Sequence, residues 1–227
     1  MRDDLPKTPQ AWRLWVPTGL LILAGLLLAT PPGWARPVTY TGGKVLVSEF
    51  EPNKVAWRYG YSPSFRWSAS LGGLYLDGLA DNDQLNVNYV RAARLAKRWN
   101  WPTAQANLFI WGGLGVADTG PQSETSGHVG FQADFETRRI YTSIVSEHHE
   151  GSGWRYRTDT LSLGFAPYEH DFERPALWLV VKGMRATHTR KDDPKAALML
   201  RLFNPTWWFE AGINNQGQLL GNVMFNF

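Results

Sequence analysis

The chain has 227 residues, contains no cysteine and carries a formal net charge of +3. The absence of cysteine excludes disulfides, a cysteine-ligated metal site and thiol catalysis. The basic residues are scattered and form no stripe with interleaved aromatics, so we expect no nucleic-acid partner. No motif in the chain calls for a cofactor, and we expect none.

Residues 1–35 have the pattern of a secretory signal peptide. Basic residues precede a short apolar run, and two prolines follow it. Gly33 and Ala35 then place small residues at the −3 and −1 positions of a cleavage site, which makes Arg36 the first residue of the mature chain. The alternative is an uncleaved membrane anchor, but a spanning helix needs about 20 apolar residues and this run is shorter. We therefore expect a signal peptide followed by one domain over residues 36–227.

The rest of the chain alternates between apolar and polar residues in short segments, which predicts β-strands rather than helices. The clearest segment is 127–137, where Phe131 and Phe135 alternate with Gln132 and Asp134. The alternation predicts twelve strands, at 43–50, 54–61, 65–76, 84–99, 104–116, 127–137, 139–148, 154–166, 176–187, 195–203, 206–214 and 217–227. If residues 43–61 formed one bulged strand, the even count expected of a single-chain barrel would require ten strands, and eight is a further alternative.

The last strand carries the most specific pattern in the chain. One of its faces is apolar and consists of Leu219, Gly221, Val223, Phe225 and Phe227. A closing strand that ends in phenylalanine, behind a secretory signal, resembles the insertion signal of Gram-negative outer-membrane β-barrel proteins. The resemblance implies an all-β, transmembrane, antiparallel up-and-down barrel in the outer membrane. It also implies that Val223, Phe225 and Phe227 are recognised by the barrel-assembly machinery.

The same alternation would also suit a soluble β-sandwich, in which the apolar face points inward. In a barrel the apolar face contacts the lipid bilayer and the polar face lines the interior. The barrel is favoured because the polar face carries whole charges and because aromatic residues cluster near strand ends, as at membrane interfaces. Turns also alternate in length. Short turns are predicted at 62–64, 100–103 and 204–206, and longer loops at 76–83, 117–125 and 187–194.

The polar face predicts a charged interior, which we call the lumen. Its predicted charges are Arg58, Arg66, Arg94, Arg98, Asp134, Glu136, Lys182, Arg201 and Glu210. Cations outnumber carboxylates in this set, which favours small anionic solutes if a water path remains. The alternative is a closed structural barrel that acts through its outer loops. Four bulky residues on the same face would narrow any passage: Phe109, Trp111, Trp178 and Met199. Arg91 falls on the apolar face, so we expect a bulge there or a position above the membrane.

Enzymatic and metal-binding functions are weaker hypotheses. His148 and His149, within Glu147–Glu150, are candidate metal ligands, but adjacent residues of a strand point to opposite faces, and an exposed charged loop is the favoured interpretation. A lipid hydrolase would need a serine beside a histidine, as in Ser126 with His128 or Ser146 with His148. Neither pair lies in a recognisable motif, and we expect no catalytic residues.

Overall fold

The computed structural model describes residues 36–79, 84–119, 123–169, 174–188 and 194–227. The predicted signal peptide, including Gly33 and Ala35, lies outside these residues. The strands are β1 (Lys44–Glu51), β2 (Lys54–Ser64), β3 (Trp67–Asp77), β4 (Gln84–Asn100), β5 (Ala104–Asp118), β6 (Ser123–Thr137), β7 (Ile140–Gly151), β8 (Trp154–Phe165), β9 (Ala176–Thr187), β10 (Lys195–Asn204), β11 (Trp207–Asn214) and β12 (Leu219–Asn226).

The twelve strands form one closed barrel in which every strand pairs antiparallel with its neighbours in the sequence. β1 closes the barrel by pairing with β12, from Val45 opposite Asn226 to Phe50 opposite Gly221. Phe227 extends this pairing, because its backbone N–H and carbonyl both bond to the backbone of Lys44 at 2.9 Å. The prediction of a twelve-stranded antiparallel up-and-down barrel is confirmed. The alternatives of ten and eight strands are wrong.

The barrel has two rims. We call the end at which β12 finishes the C-terminal rim, and the other end the distal rim. The connections at 65–66, 101–103, 138–139 and 205–206 lie at the C-terminal rim and are short. β8 also ends and β9 also begins at this rim, and ten residues separate them in the sequence, which departs from the expected division into short turns at one end and longer loops at the other. The predicted turn at 62–64 is wrong as well, because these residues belong to β2 and the chain turns at Phe65 and Arg66.

The apolar faces of the strands point outward. Phe131 and Phe135 keep 41% and 39% of their surface exposed, whereas Gln132 between them points inward and donates a hydrogen bond to Asp134. The same outward exposure is found for large apolar residues on all twelve strands. This arrangement is the inverse of a soluble sandwich and is that of a transmembrane barrel.

No helix in the described ranges is long and apolar enough to cross a membrane.

Two irregularities interrupt the pairing. The register of β2 against β3 shifts between Tyr61 and Ser64, and that of β4 against β5 shifts between Leu95 and Lys97. Because side chains alternate with a period of two, one extra residue inverts the faces of the strand on either side of it. The second bulge therefore decides which arginines of β4 enter the lumen.

Candidate functional site: the lumen of the barrel

Most of the predicted lumen charges do point into the barrel. Seven of the nine line the lumen or bond to residues that line it: Arg58, Arg98, Asp134, Glu136, Lys182, Arg201 and Glu210. The four bulky residues predicted on this face are also inward and buried, namely Phe109, Trp111, Trp178 and Met199. The lumen is therefore charged and partly filled by large side chains.

Arg66 and Arg94 are not in the lumen, and these two predictions are wrong. Arg66 lies in the exposed turn between β2 and β3, where its guanidinium stands 5.3 Å from the ring centroid of Phe65. Arg94 points outward and stands 5.2 Å from the ring centroid of Trp67. The bulge at Leu95–Lys97 explains the outward position of Arg94. It puts Arg98 inside together with Arg91, which is only 4% exposed, and leaves Arg94 outside.

Glu210 is the centre of one charge cluster. Its buried carboxylate accepts a bond from Arg201 Nε at 2.8 Å and forms an ion pair with the ammonium of Lys182. Asn222 donates a further bond to Glu210 Oε1 at 2.8 Å. The Arg201 guanidinium also lies 4.9 Å from the ring centroid of Tyr141, in β7. Two cations therefore share one carboxylate, which favours a structural role for all three.

A second cluster lies near the C-terminal rim and includes the residues that precede β1. Arg36 is buried and pairs with Glu136 and with the side-chain carbonyl of Gln105. Val38 packs against a buried apolar group made of Ala93, Leu95, Phe109 and Trp111. Ser68 donates a bond to the Pro37 carbonyl at 2.8 Å. Residues 36–39 thus lie inside the lumen and narrow it, and no pattern in the sequence predicts this position.

A third cluster joins β4, β6 and β7 toward the distal rim. Glu147 accepts bonds from Arg91 at 3.5 Å and from His149 at 3.2 Å. His128 and His149 face each other across β6 and β7, with ring centroids 4.9 Å apart and nearly parallel planes. A Cβ at Gly113 would lie 2.4 Å from the His128 ring, so only glycine leaves room for it. Arg91 also stacks on Trp111, with 4.1 Å between guanidinium carbon and ring centroid.

The third cluster corrects the interpretation of Glu147–Glu150 as an exposed loop, because these residues belong to β7. Glu147 and His149 point inward, and His148 points outward toward Glu150 at 3.4 Å. The two histidines therefore cannot share a metal ion, as the strand geometry predicts. Among the described residues, no group of three or more His, Asp or Glu side chains is arranged to hold a metal.

The two serine–histidine pairs share faces as expected. Ser126 and His128 are both buried on the inner side of β6. The Nε2 atom of His128 has no hydrogen-bond partner in the described part of the chain, so no Ser–His bond forms through this atom.

Six charged residues that line the lumen were not among the predicted lumen charges: Arg36, Glu49, Glu51, Lys54, Arg91 and Glu147. Lys54 Nζ bonds to Glu49 at 2.7 Å and to Glu51 at 3.2 Å, next to the turn between β1 and β2. The missed residues within strands alternate with outward-facing residues, and this alternation could have predicted their inward position. Glu51, however, adjoins a turn, and the favoured interpretation placed Glu147 in a loop. These carboxylates reduce the surplus of cations that the sequence predicted.

The space between these clusters is a cavity of about 210 Å³. The charged residues that line it are Arg36, Glu49, Glu51, Lys54, Arg58, Arg91, Glu147, Lys182 and Arg201. Beside it lies a cavity of about 50 Å³, also lined by Arg58 and Arg91. Arg58 interacts electrostatically with Glu147 but takes part in no hydrogen bond or salt bridge found among the described residues, and the buried Nε of Arg91 has no acceptor among them. The centre of the lumen therefore offers unfilled cationic donors to an anion or to water.

Comparisons with known proteins give structural neighbours only. No protein-family model matches the chain, and no curated protein matches it. A solved structure of the KdgM porin in complex with disordered oligogalacturonate is similar at 10% identity and a TM-score of 0.49, over 82% of this chain and 98% of that one. A second structure of the KdgM porin is similar at 12% identity and a TM-score of 0.47, with the same coverage.

Proposed function

We propose that this chain is an outer-membrane β-barrel that conducts small anionic solutes through a narrow, basic lumen. The observation that carries the proposal is Arg58, a cation in the central cavity with no ion-pair partner among the described residues. Every other cation that lines the cavity has a carboxylate partner, as in the pairs of Lys54 with Glu49, Arg91 with Glu147 and Arg201 with Glu210. An unpaired fixed cation in a narrow lumen attracts anions and repels cations.

The proposed location and processing follow from the sequence together with the outward apolar surface. Export through the inner membrane, cleavage between Ala35 and Arg36, and insertion by the barrel-assembly machinery through Val223, Phe225 and Phe227 are parts of the same proposal. Val223, Phe225 and Phe227 share the outward face at the closing seam, where Phe225 packs against Phe209 with ring centroids 5.5 Å apart. In this orientation the C-terminal rim faces the periplasm and the distal rim faces the cell exterior.

Conductance of the purified, refolded protein in a planar bilayer tests the proposal. We expect reproducible steps whose reversal potential in a KCl gradient indicates preference for chloride. A unit charge about 6 Å from a permeating ion in a water-like medium contributes about 0.7 kcal/mol, favourable for an anion and unfavourable for a cation, so Arg58→Gln should lower the preference for chloride over potassium about tenfold. Arg94→Gln is the matched control, because Arg94 lies on the outer wall and should leave selectivity unchanged.

Two outcomes would contradict the proposal. Preference for potassium would mean that the buried carboxylates, rather than Arg58, dominate the field. A silent bilayer with a correctly folded barrel would mean that no continuous water path exists.

A second candidate is a closed barrel that acts through its distal loops at 77–83, 117–125 and 188–194, parts of which lie outside the described residues. The observation in its favour is the segment 36–39 inside the lumen, with Arg36 paired to Glu136 and Val38 against Phe109. In this case removal of residues 36–40 would turn a silent protein into a conducting one.

A further inference from the structure

The outer wall of the barrel carries a basic concavity near the distal rim. It has a volume of about 790 Å³ and spans β6 to β9. We call its charged part the basic wall patch and define it as His148, Arg155, Arg157 and Arg185. Val129 and Phe131 form the apolar side of the same concavity. This feature lies on the outer wall and is separate from the lumen.

The strand register brings these residues together. Arg185 of β9 lies opposite Asp159 of β8. Two residues farther toward the distal rim, Arg157 lies opposite His148 of β7. Arg155 follows two residues beyond Arg157 on the same face of β8. Neighbouring strands are about 4.8 Å apart and successive outward residues about 6.7 Å apart, so the three arginines lie within reach of one lipid headgroup.

The charges of the patch are not balanced within the protein. Arg157 donates to Asp159 Oδ1 from Nη2 at 2.9 Å and from Nε at 3.2 Å, which neutralises one arginine. Arg155 and Arg185 are exposed, and neither takes part in a hydrogen bond or salt bridge found among the described residues, while the charge of Arg185 also acts on Asp159 opposite it. Two guanidinium groups therefore present unfilled donors on the same outer surface, and a guanidinium fork matches the oxygens of a phosphate.

The height of the patch identifies the kind of anion. Asp159 follows Arg157 on the outward face of β8, and Leu161 and Leu163 lie below Asp159, where both are about half exposed. Arg157 is eight residues above Phe165, which is about 20 Å along the membrane normal for a rise of about 3.3 Å per residue and a tilt of about 40°. The apolar band of such barrels is about 25 Å tall. With Phe165 at the lower edge of this band, Arg157 lies about 5 Å below the upper edge, and Arg155, two residues farther along β8, lies at that edge, where the acyl chains end and the lipid phosphates begin.

We propose that the basic wall patch binds the phosphate groups of an anionic lipid in the surrounding leaflet, with the acyl chains against Val129, Phe131 and Leu161. This inference rests on the membrane placement proposed above. An arginine that faces lipid without a partner destabilises a barrel. A bound lipid phosphate would compensate the arginines of the patch and so remove this loss of stability.

Native mass spectrometry of the refolded protein in detergent tests the inference, with diphosphorylated lipid A and its dephosphorylated form as probes. We expect the unmodified protein to bind the diphosphorylated lipid at least about tenfold more tightly, because phosphate–arginine pairs are charge-assisted and bidentate. The triple variant Arg155→Gln, Arg157→Gln, Arg185→Gln should lose this preference. The matched control is Arg94→Gln with Arg139→Gln, two arginines at or near the C-terminal rim, which should keep it.

The inference would be overturned if the triple variant kept the full preference for diphosphorylated lipid A. It would also be overturned if the unmodified protein showed no such preference. Displacement of the lipid by an equal concentration of inorganic phosphate would also overturn it, because it would indicate a bare anion site. If the triple variant fails to fold, Arg155→Gln alone should still reduce the preference, since Arg155 has no structural bond to lose. Vesicle insertion separates the two proposals: a chain that does not insert refutes the membrane placement, and an inserted chain without lipid preference refutes only the lipid site.

Discussion

Replacing Phe131 with arginine should destabilise the barrel far more than the same replacement one residue away. Phe131 faces outward, six residues from the end of β6 at Thr137 and eight from its start at Ser123. With a rise of about 3.3 Å per residue and a tilt of about 40°, its Cα lies about 15 Å above the C-terminal rim, near the middle of an apolar band about 25 Å tall. An arginine at this depth costs about 2–4 kcal/mol.

Gln132→Arg is the paired measurement. Gln132 points into the lumen and donates a hydrogen bond to Asp134 Oδ2 at 2.9 Å. An arginine there would replace a neutral partner of the carboxylate with a charged one in a polar interior. We therefore expect a change in the free energy of unfolding within about 1 kcal/mol, the range of partly solvated ion pairs.

The assay is guanidinium unfolding of the barrel folded into lipid vesicles, followed by tryptophan fluorescence. Phe131→Leu serves as the control for lost packing, because it keeps the residue apolar. The difference between the two arginine variants should be at least about 1 kcal/mol and should have the stated sign. Equal losses at Phe131 and Gln132 would refute the assignment of faces and, with it, the membrane placement.

Three further predictions concern the interior, the assembly signal and processing. Glu210→Gln leaves two buried cations without their shared carboxylate, so the free energy of unfolding should fall by about 3–5 kcal/mol. A loss below about 1 kcal/mol would show that water already compensates the two cations. Deletion of Phe227 should reduce the yield in the outer-membrane fraction of cells much more than refolding in vitro, and a normal cellular yield would contradict the signal function. Amino-terminal sequencing of the protein from that fraction should begin at Arg36, and a chain beginning at Met1 would contradict cleavage.

The local alternation of the sequence was sufficient for much of the architecture. Each strand repeats with a period of two, and one face must be apolar wherever it meets lipid, so segments such as Val129–Phe135 determine both the strand and its orientation. The twelve-strand count and the inward position of Trp111 and Glu210 follow from this pattern and agree with the structure. The absence of any comparable pattern for a ligand is why the sequence did not specify a solute.

Tertiary structure alone decided the features that depend on partners distant in the sequence. The position of Arg91 on the apolar face indicated a bulge in this strand, but the place of the bulge at Leu95–Lys97 is set by pairing with β5, and it puts Arg91 rather than Arg94 in the lumen. The position of residues 36–39 inside the lumen depends on contacts with Glu136 and Phe109, and these two residues come close to the segment only in the closed barrel. Likewise, Arg58 is distinguished from the other lumen cations only by which carboxylates reach it. Which charges pair across a closed sheet depends on the register of the strands and on the curvature of the barrel. The alternation of apolar and polar residues along the sequence specifies neither.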